Sequence, residues 1–197
     1  MSVSKKSLLI PLIALILVIV VWGGSILWNS RVTSIVTLGD SIGAGFCETI
    51  PWGVRLGQGL NVPVVNDSVA GRTLSEGLEL VDELLAVNKP SHLVVLLGTN
   101  DALFGDADIA ISTMNAIVQR ARAARVNVVI GTLPPIFRSS EVNDRSKQIA
   151  DGYQNIEGAV VADIRNAMGN DKDLFCDGIH PNTLGQTAIV TAYLETF

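Results

Sequence analysis

Short apolar runs of strand length alternate with helical patterns along this chain, and that alternation limits the folds open to it. Ile35–Leu38, Val62–Val65, His92–Leu97, Val126–Ile130 and Val160–Ala162 read as strands. Trp52–Leu60, Leu74–Val87, Ile109–Ala124, Arg145–Ile156 and Leu184–Leu194 read as helices. In Leu74–Val87 the apolar positions Leu74, Leu78, Val81, Leu84 and Leu85 fall at helical spacing. His92–Leu97 is uninterrupted, as expected of a strand buried on both faces, and Pro63 suggests a sheet edge. Strands alternating with helices predict βαβ units, hence an α/β domain with a parallel five-stranded sheet between two helical layers.

In such a sheet ligands bind beyond the carboxyl ends of the strands. The first strand runs into Gly39-Asp40-Ser41-Ile42-Gly43, where glycines allow a tight turn and close approach of backbone to a ligand. The second runs into Asn66-Asp67-Ser68 and on to Gly71-Arg72-Thr73, the third into Gly98-Thr99-Asn100-Asp101. Asp177-Gly178-Ile179-His180-Pro181 comes late in the chain. Together these runs supply what acyl transfer needs. Ser41 is the candidate nucleophile, and a serine hydroxyl needs a base to take its proton. Of two histidines, His92 opens a buried strand, whereas His180 lies in a glycine-containing loop three residues after Asp177. That spacing suits a carboxylate that fixes the imidazole tautomer while the other ring nitrogen faces the serine. The backbone N–H groups of Ser41 and Gly71 and the Asn100 side chain are the candidate oxyanion donors.

Composition sets the setting. Leu8–Trp28 is a 21-residue apolar stretch after Lys5 and Lys6. As a helix it would span roughly 30 Å, enough to cross a bilayer. Residues 1–29 are therefore expected to be a membrane anchor or a cleaved signal peptide, and residues 30–197 the hydrolase domain. The positive-inside rule puts that domain outside the cytoplasm. Without the two N-terminal lysines the formal charge moves from −5 to −7. An acidic body without a basic run argues against nucleic acid as a partner. Two histidines and no clustered ligands argue against a metal site, and neither a Walker A run nor a complete dinucleotide glycine pattern is present, so no cofactor is expected.

The four polar runs resemble the four blocks of the SGNH hydrolases, the GDSL esterase/lipase family. Gly39-Asp40-Ser41-Ile42 matches the first block with isoleucine for the final leucine; Asn66-x-Ser68-x-x-Gly71-x-Thr73, Gly98-x-Asn100-Asp101 and Asp177-x-x-His180-Pro181 match the others in order. The resemblance implies a flavodoxin-like three-layer fold and a metal-free esterase, lipase or thioesterase mechanism. Gly39–Gly43 also fits the G-x-S-x-G elbow of α/β-hydrolases. However, Ser41 follows the first strand, the body is short, and acid and histidine are three residues apart, all against that fold.

If Ser41 and His180 meet, Cys47 and Cys176 are brought near each other, and a disulfide between them is expected; two unpaired thiols are the alternative. Asp40 is expected to shape the turn, and Arg72 to be ion-paired or to meet an anionic substrate group. Phe104 and Ile136 are candidates for an acyl pocket or for ordinary packing. The function expected is hydrolysis of carboxylic esters or thioesters. A carbohydrate O-deacetylase or O-acyltransferase of envelope glycans, or a catalytically silent binding domain displayed on the membrane, are the alternatives.

Overall fold

The computed structural model describes residues 31–47 and 50–197. The expected N-terminal helix lies outside them. Among the described residues no helix is long and apolar enough to cross a membrane. Val32–Phe197 forms one compact unit.

Five parallel strands, β1 (Ile35–Gly39), β2 (Val64–Ser68), β3 (His92–Leu96), β4 (Asn127–Gly131) and β5 (Val160–Ala162), lie in the order β2-β1-β3-β4-β5. The described helices are α1 (Ser41–Ala44), α2 (Trp52–Leu60), α3 (Leu74–Asn88), α4 (Thr99–Phe104), α5 (Ala107–Ala123), α6 (Ser140–Tyr153), α7 (Ile164–Met168) and α8 (Thr183–Leu194). From the adjacent pair β1 and β3 the sheet grows outward in both directions. Such a reversal leaves a crevice at the carboxyl ends of those two strands, where doubly wound folds bind ligands.

Successive side chains of a strand face opposite ways, and the buried residues sort accordingly. Val36, Leu38, Leu93, Val95, Val128 and Ile130 pack with Leu74, Val81, Met114, Ile117 and Ile149 from α3, α5 and α6. Ile35, Val94, Leu96 and Val129 pack with Trp52, Leu56, Ile164, Ile189 and Tyr193 from α2, α7 and α8. Each buried aliphatic side chain is worth roughly 1.5–3 kcal/mol relative to exposure, so both helical layers are fastened by their apolar stripes.

Most sequence-based boundaries hold to within a residue or two. Three differ more. β2 runs to Ser68, so Asn66 and Asp67 belong to the strand and not to a loop; β1 pairs with it through Gly39↔Ser68, which outweighs the polar character of those residues. Helix α6 begins at Ser140, earlier than Arg145, because the Ser139 side chain caps Val142 N–H. Asn100 and Asp101 sit in the first turn of α4 and not in an extended loop. Ile136, a pocket candidate, is 2% exposed in the first core layer, while Phe104 is 86% exposed.

Candidate active site

Register sets the positions. Gly39 pairs with Ser68 on one side and Leu96 on the other. Ser41, Gly71 and Asn100 therefore follow three neighbouring strands at the same edge of the sheet, around the β1/β3 crevice.

The turn bearing Ser41 is built by Asp40 and Ser68. The Asp40 side chain caps α1, accepting from Ile42 N–H at 2.9 Å. A Cβ at Gly39 would sit 2.7 Å from Ser68 Oγ, and one at Gly43 would strike both Oγ and Cβ of Ser68. Glycine at both places is the condition for packing β2 against the nucleophile turn. Asn66 completes the join, donating to Gly43 O at 3.0 Å and accepting from Thr37 Oγ1 at 2.6 Å. At the far end of the chain Gln186, fully buried, donates to Ile42 O and accepts Trp52 N–H, both at 3.1 Å.

The structure brings Ser41, His180 and Asp177 together. Ser41 Oγ lies 3.0 Å from His180 Nε2, and His180 Nδ1 lies 2.8 Å from Asp177 Oδ2. A proton on Nδ1, donated to the carboxylate, leaves Nε2 to accept from the serine. Asp177 Oδ1 also accepts the backbone N–H of Ile179 at 3.0 Å and of His180 at 2.8 Å. The slight burial of Asp177 works upward on its pKa but is outweighed by the His180 N–H, the imidazole and the Ile179 N–H, which hold the carboxyl at about 2.

The loop carrying this pair is fixed from two sides. Gly178, at φ +83°, turns it in a conformation that favours glycine. Cys176 N–H donates to His180 O, and Phe137 N–H to Gly178 O at 2.7 Å. Arg138 reaches Asp177 Oδ2 at 3.3 Å. On the other side Cys176 is bonded to Cys47, with Cα atoms 6.4 Å apart. Phe46, next to Cys47, lies on the His180 ring at 4.4 Å between centroids.

Gly71 adopts φ +85° with nothing near its missing Cβ, so this glycine turns the chain in open space. Asn100 Nδ2 donates to Arg72 O at 3.0 Å, which sets the Asn100 amide against the Gly71–Arg72 turn. Asp101 accepts Leu74 N–H and fastens the start of α3 to α4. Arg72 is 7% exposed and ion-paired to Asp67 at 3.0 Å, a clamp on its own loop and not a free cation. Beside Gly71 opens a groove of about 380 Å³, walled by Val69, Leu80 and Glu79 among others.

Asp40, between Gly39 and Ser41, is completely buried. Its Oδ2 has no hydrogen-bond partner among the described residues, nor has Thr99 Oγ1. Burial pushes the Asp40 carboxyl up to about 6, against the pull of the Ile42 N–H and the charge of His180. Among the described residues no three His, Cys, Asp or Glu side chains group to hold a metal ion.

Sequence reasoning missed Arg138, Gln186 and Phe46. For the first two the sequence carries no signal. Phe46 was inferable: a residue beside a cysteine bridged to the one before Asp177 must lie close to His180.

Known proteins resemble this chain in sequence and in fold. Esterase TesA of Pseudomonas aeruginosa is 29% identical over 176 residues, 80% of this chain and 84% of that protein. An arylesterase of Vibrio mimicus is 30% identical over 104 residues, 49% of this chain and 52% of that protein. A crystal structure of TesA shares the fold with a TM-score of 0.73 at 24% identity, over 83% of this chain and 97% of that one. The pattern described as the GDSL-like lipase/acylhydrolase family matches residues 37–188. The chain therefore belongs to that family and is a hydrolase acting on ester bonds.

Proposed function

We propose that the protein cleaves carboxylic ester or thioester bonds by a Ser-His-Asp mechanism. The observation that carries this reading is the unbroken line from Ser41 Oγ to His180 at 3.0 Å and from His180 to Asp177 at 2.8 Å. Ser41 Oγ attacks the acyl carbon as Nε2 of His180 takes its proton. Negative charge on the carbonyl oxygen is met by the N–H groups of Ser41 and Gly71 and by the Asn100 amide. The leaving oxygen, or the sulfur of a thioester, departs with the proton held on His180. Water, deprotonated in turn by His180, then releases the acid and restores the serine. Asp177, kept ionised, orients the imidazole and steadies its charged form.

The domain works outside the cytoplasm, held by residues 1–29 as a membrane anchor. The Cys47–Cys176 disulfide supports an oxidising compartment, and the apolar stretch Leu8–Trp28 supports the anchor. The experiment is hydrolysis of p-nitrophenyl esters from acetate to palmitate, with Ser41→Ala beside the natural protein. Chain-length-dependent hydrolysis that vanishes in Ser41→Ala is the expected result. Equal rates in both proteins refute the mechanism.

A further inference from the structure

Phe46 is an aromatic side chain left 55% exposed on a backbone that is pinned on both sides. The N–H groups of Gly45 and Phe46 both donate to Ser41 O. Cys47 is tied to Cys176. The Phe46 ring meets the His180 imidazole at 4.4 Å and an interplanar angle of 42°. A tilted contact with one partner leaves much of the ring open to a second.

The chemistry says which part of a substrate arrives there. The carbonyl oxygen points to Ser41, Gly71 and Asn100, the donors on the β1, β2 and β3 side. The leaving oxygen must come within about 3 Å of the Nε2 that returns the proton, and the ring set against that imidazole is Phe46. Aromatic rings hold other rings in offset or edge geometries beyond mere burial. Resting on the hydrolase reading above, we infer that Phe46 is a specificity-determining residue, the platform for the leaving alcohol. It favours esters whose leaving alcohol carries a ring, a phenol or a pyranose, over esters of small alkyl alcohols.

The test measures kcat/KM for phenyl acetate, an O-acetylated methyl xylopyranoside and ethyl acetate in the natural protein, Phe46→Leu and Phe46→Trp. Phe46→Leu keeps apolar bulk against His180 but loses the ring face. Intrinsic ester reactivity cancels when the ring-to-ethyl ratio is compared between proteins. The ratio is expected to fall roughly 3- to 10-fold in Phe46→Leu and to be retained in Phe46→Trp. A fall for both ring esters assigns the platform to rings in general, and a fall for one alone to that ring. A ratio that does not fall for either ring ester in Phe46→Leu overturns the inference, because Phe46 then only supports His180. Ester hydrolysis that survives Ser41→Ala overturns the hydrolase reading itself; loss in Ser41→Ala with an unmoved ratio overturns this inference alone.

Discussion

Asp177 holds His180 with both of its oxygens. Oδ1 accepts the His180 backbone N–H at 2.8 Å, and Oδ2 meets the ring Nδ1 at 2.8 Å. One carboxylate thus shapes the loop and orients the base. Asp177→Asn presents an amide that can offer the ring an N–H donor and favour the wrong tautomer. It is expected to lower kcat by about 10³–10⁴ with a smaller change in KM, measured in steady-state kinetics. A kcat within tenfold of the natural protein contradicts the assigned role.

Asp40 is held in the site against its own solvation. Its folded pKa of about 6 exceeds the ordinary 3.8. The ionised form is therefore disfavoured in the fold, and stability falls as pH rises from about 4 to about 6, then stays lowered. Asp40→Asn keeps the oxygen that caps Ile42 N–H and removes the titration. Its stability relative to the natural protein is expected to rise across that window by roughly 2–3 kcal/mol. Urea melts at pH 4 and pH 8 check this; a difference that does not change between the two contradicts it.

The disulfide joins the residue that follows Phe46 to the residue that precedes Asp177, closing a sequence separation of 129 residues. Cys47→Ser with Cys176→Ser is expected to cost about 2–4 kcal/mol of stability and to lower kcat, because one of the two fastenings of the His180 loop is lost. Thermal melts of oxidised and reduced protein, with kinetics on the double variant, measure both effects. Identical melts would contradict the structural assignment.

Gly43 and Ser68 test the nucleophile turn. A Cβ at Gly43 meets the Ser68 side chain, so Gly43→Ala is expected to destabilise by roughly 1–3 kcal/mol. Adding Ser68→Gly removes the obstacle. The double variant should lose less than the sum of the two single losses, which a double-mutant cycle reads directly. Simple additivity would show that the two positions do not collide.

Much of this was legible in the chain. Apolar runs of five or so residues ending at Gly39 and Gly98 can be little else than buried strands, and helices between them make the sheet parallel. The turn at Gly71 was legible because a glycine in a polar run after a strand lets the chain turn there. The join between Asp177 and His180 was legible because a three-residue spacing closes within one turn. What could not be read is held by long-range geometry. Gln186 reaches Ile42 across 144 residues, and no local pattern distinguishes it from any other glutamine on a helix. Arg138 meets Asp177 only because Phe137 N–H fastens the β4–α6 loop to Gly178. The polar β2 residues Asn66 and Asp67 looked like a loop because their strand character comes from pairing with β1 and from the Asn66 contacts to Thr37 and Gly43.

The central claim is that Ser41 is the nucleophile, and covalent labelling tests it most directly. A fluorophosphonate that transfers its phosphonyl group to an activated serine should modify the protein once, with the added mass on the peptide containing Ser41. Ser41→Ala should remain unlabelled and inactive, and His180→Ala should label far more slowly. Labelling of Ser41→Ala at the natural rate, or ester hydrolysis by that variant equal to the natural protein, would contradict the account.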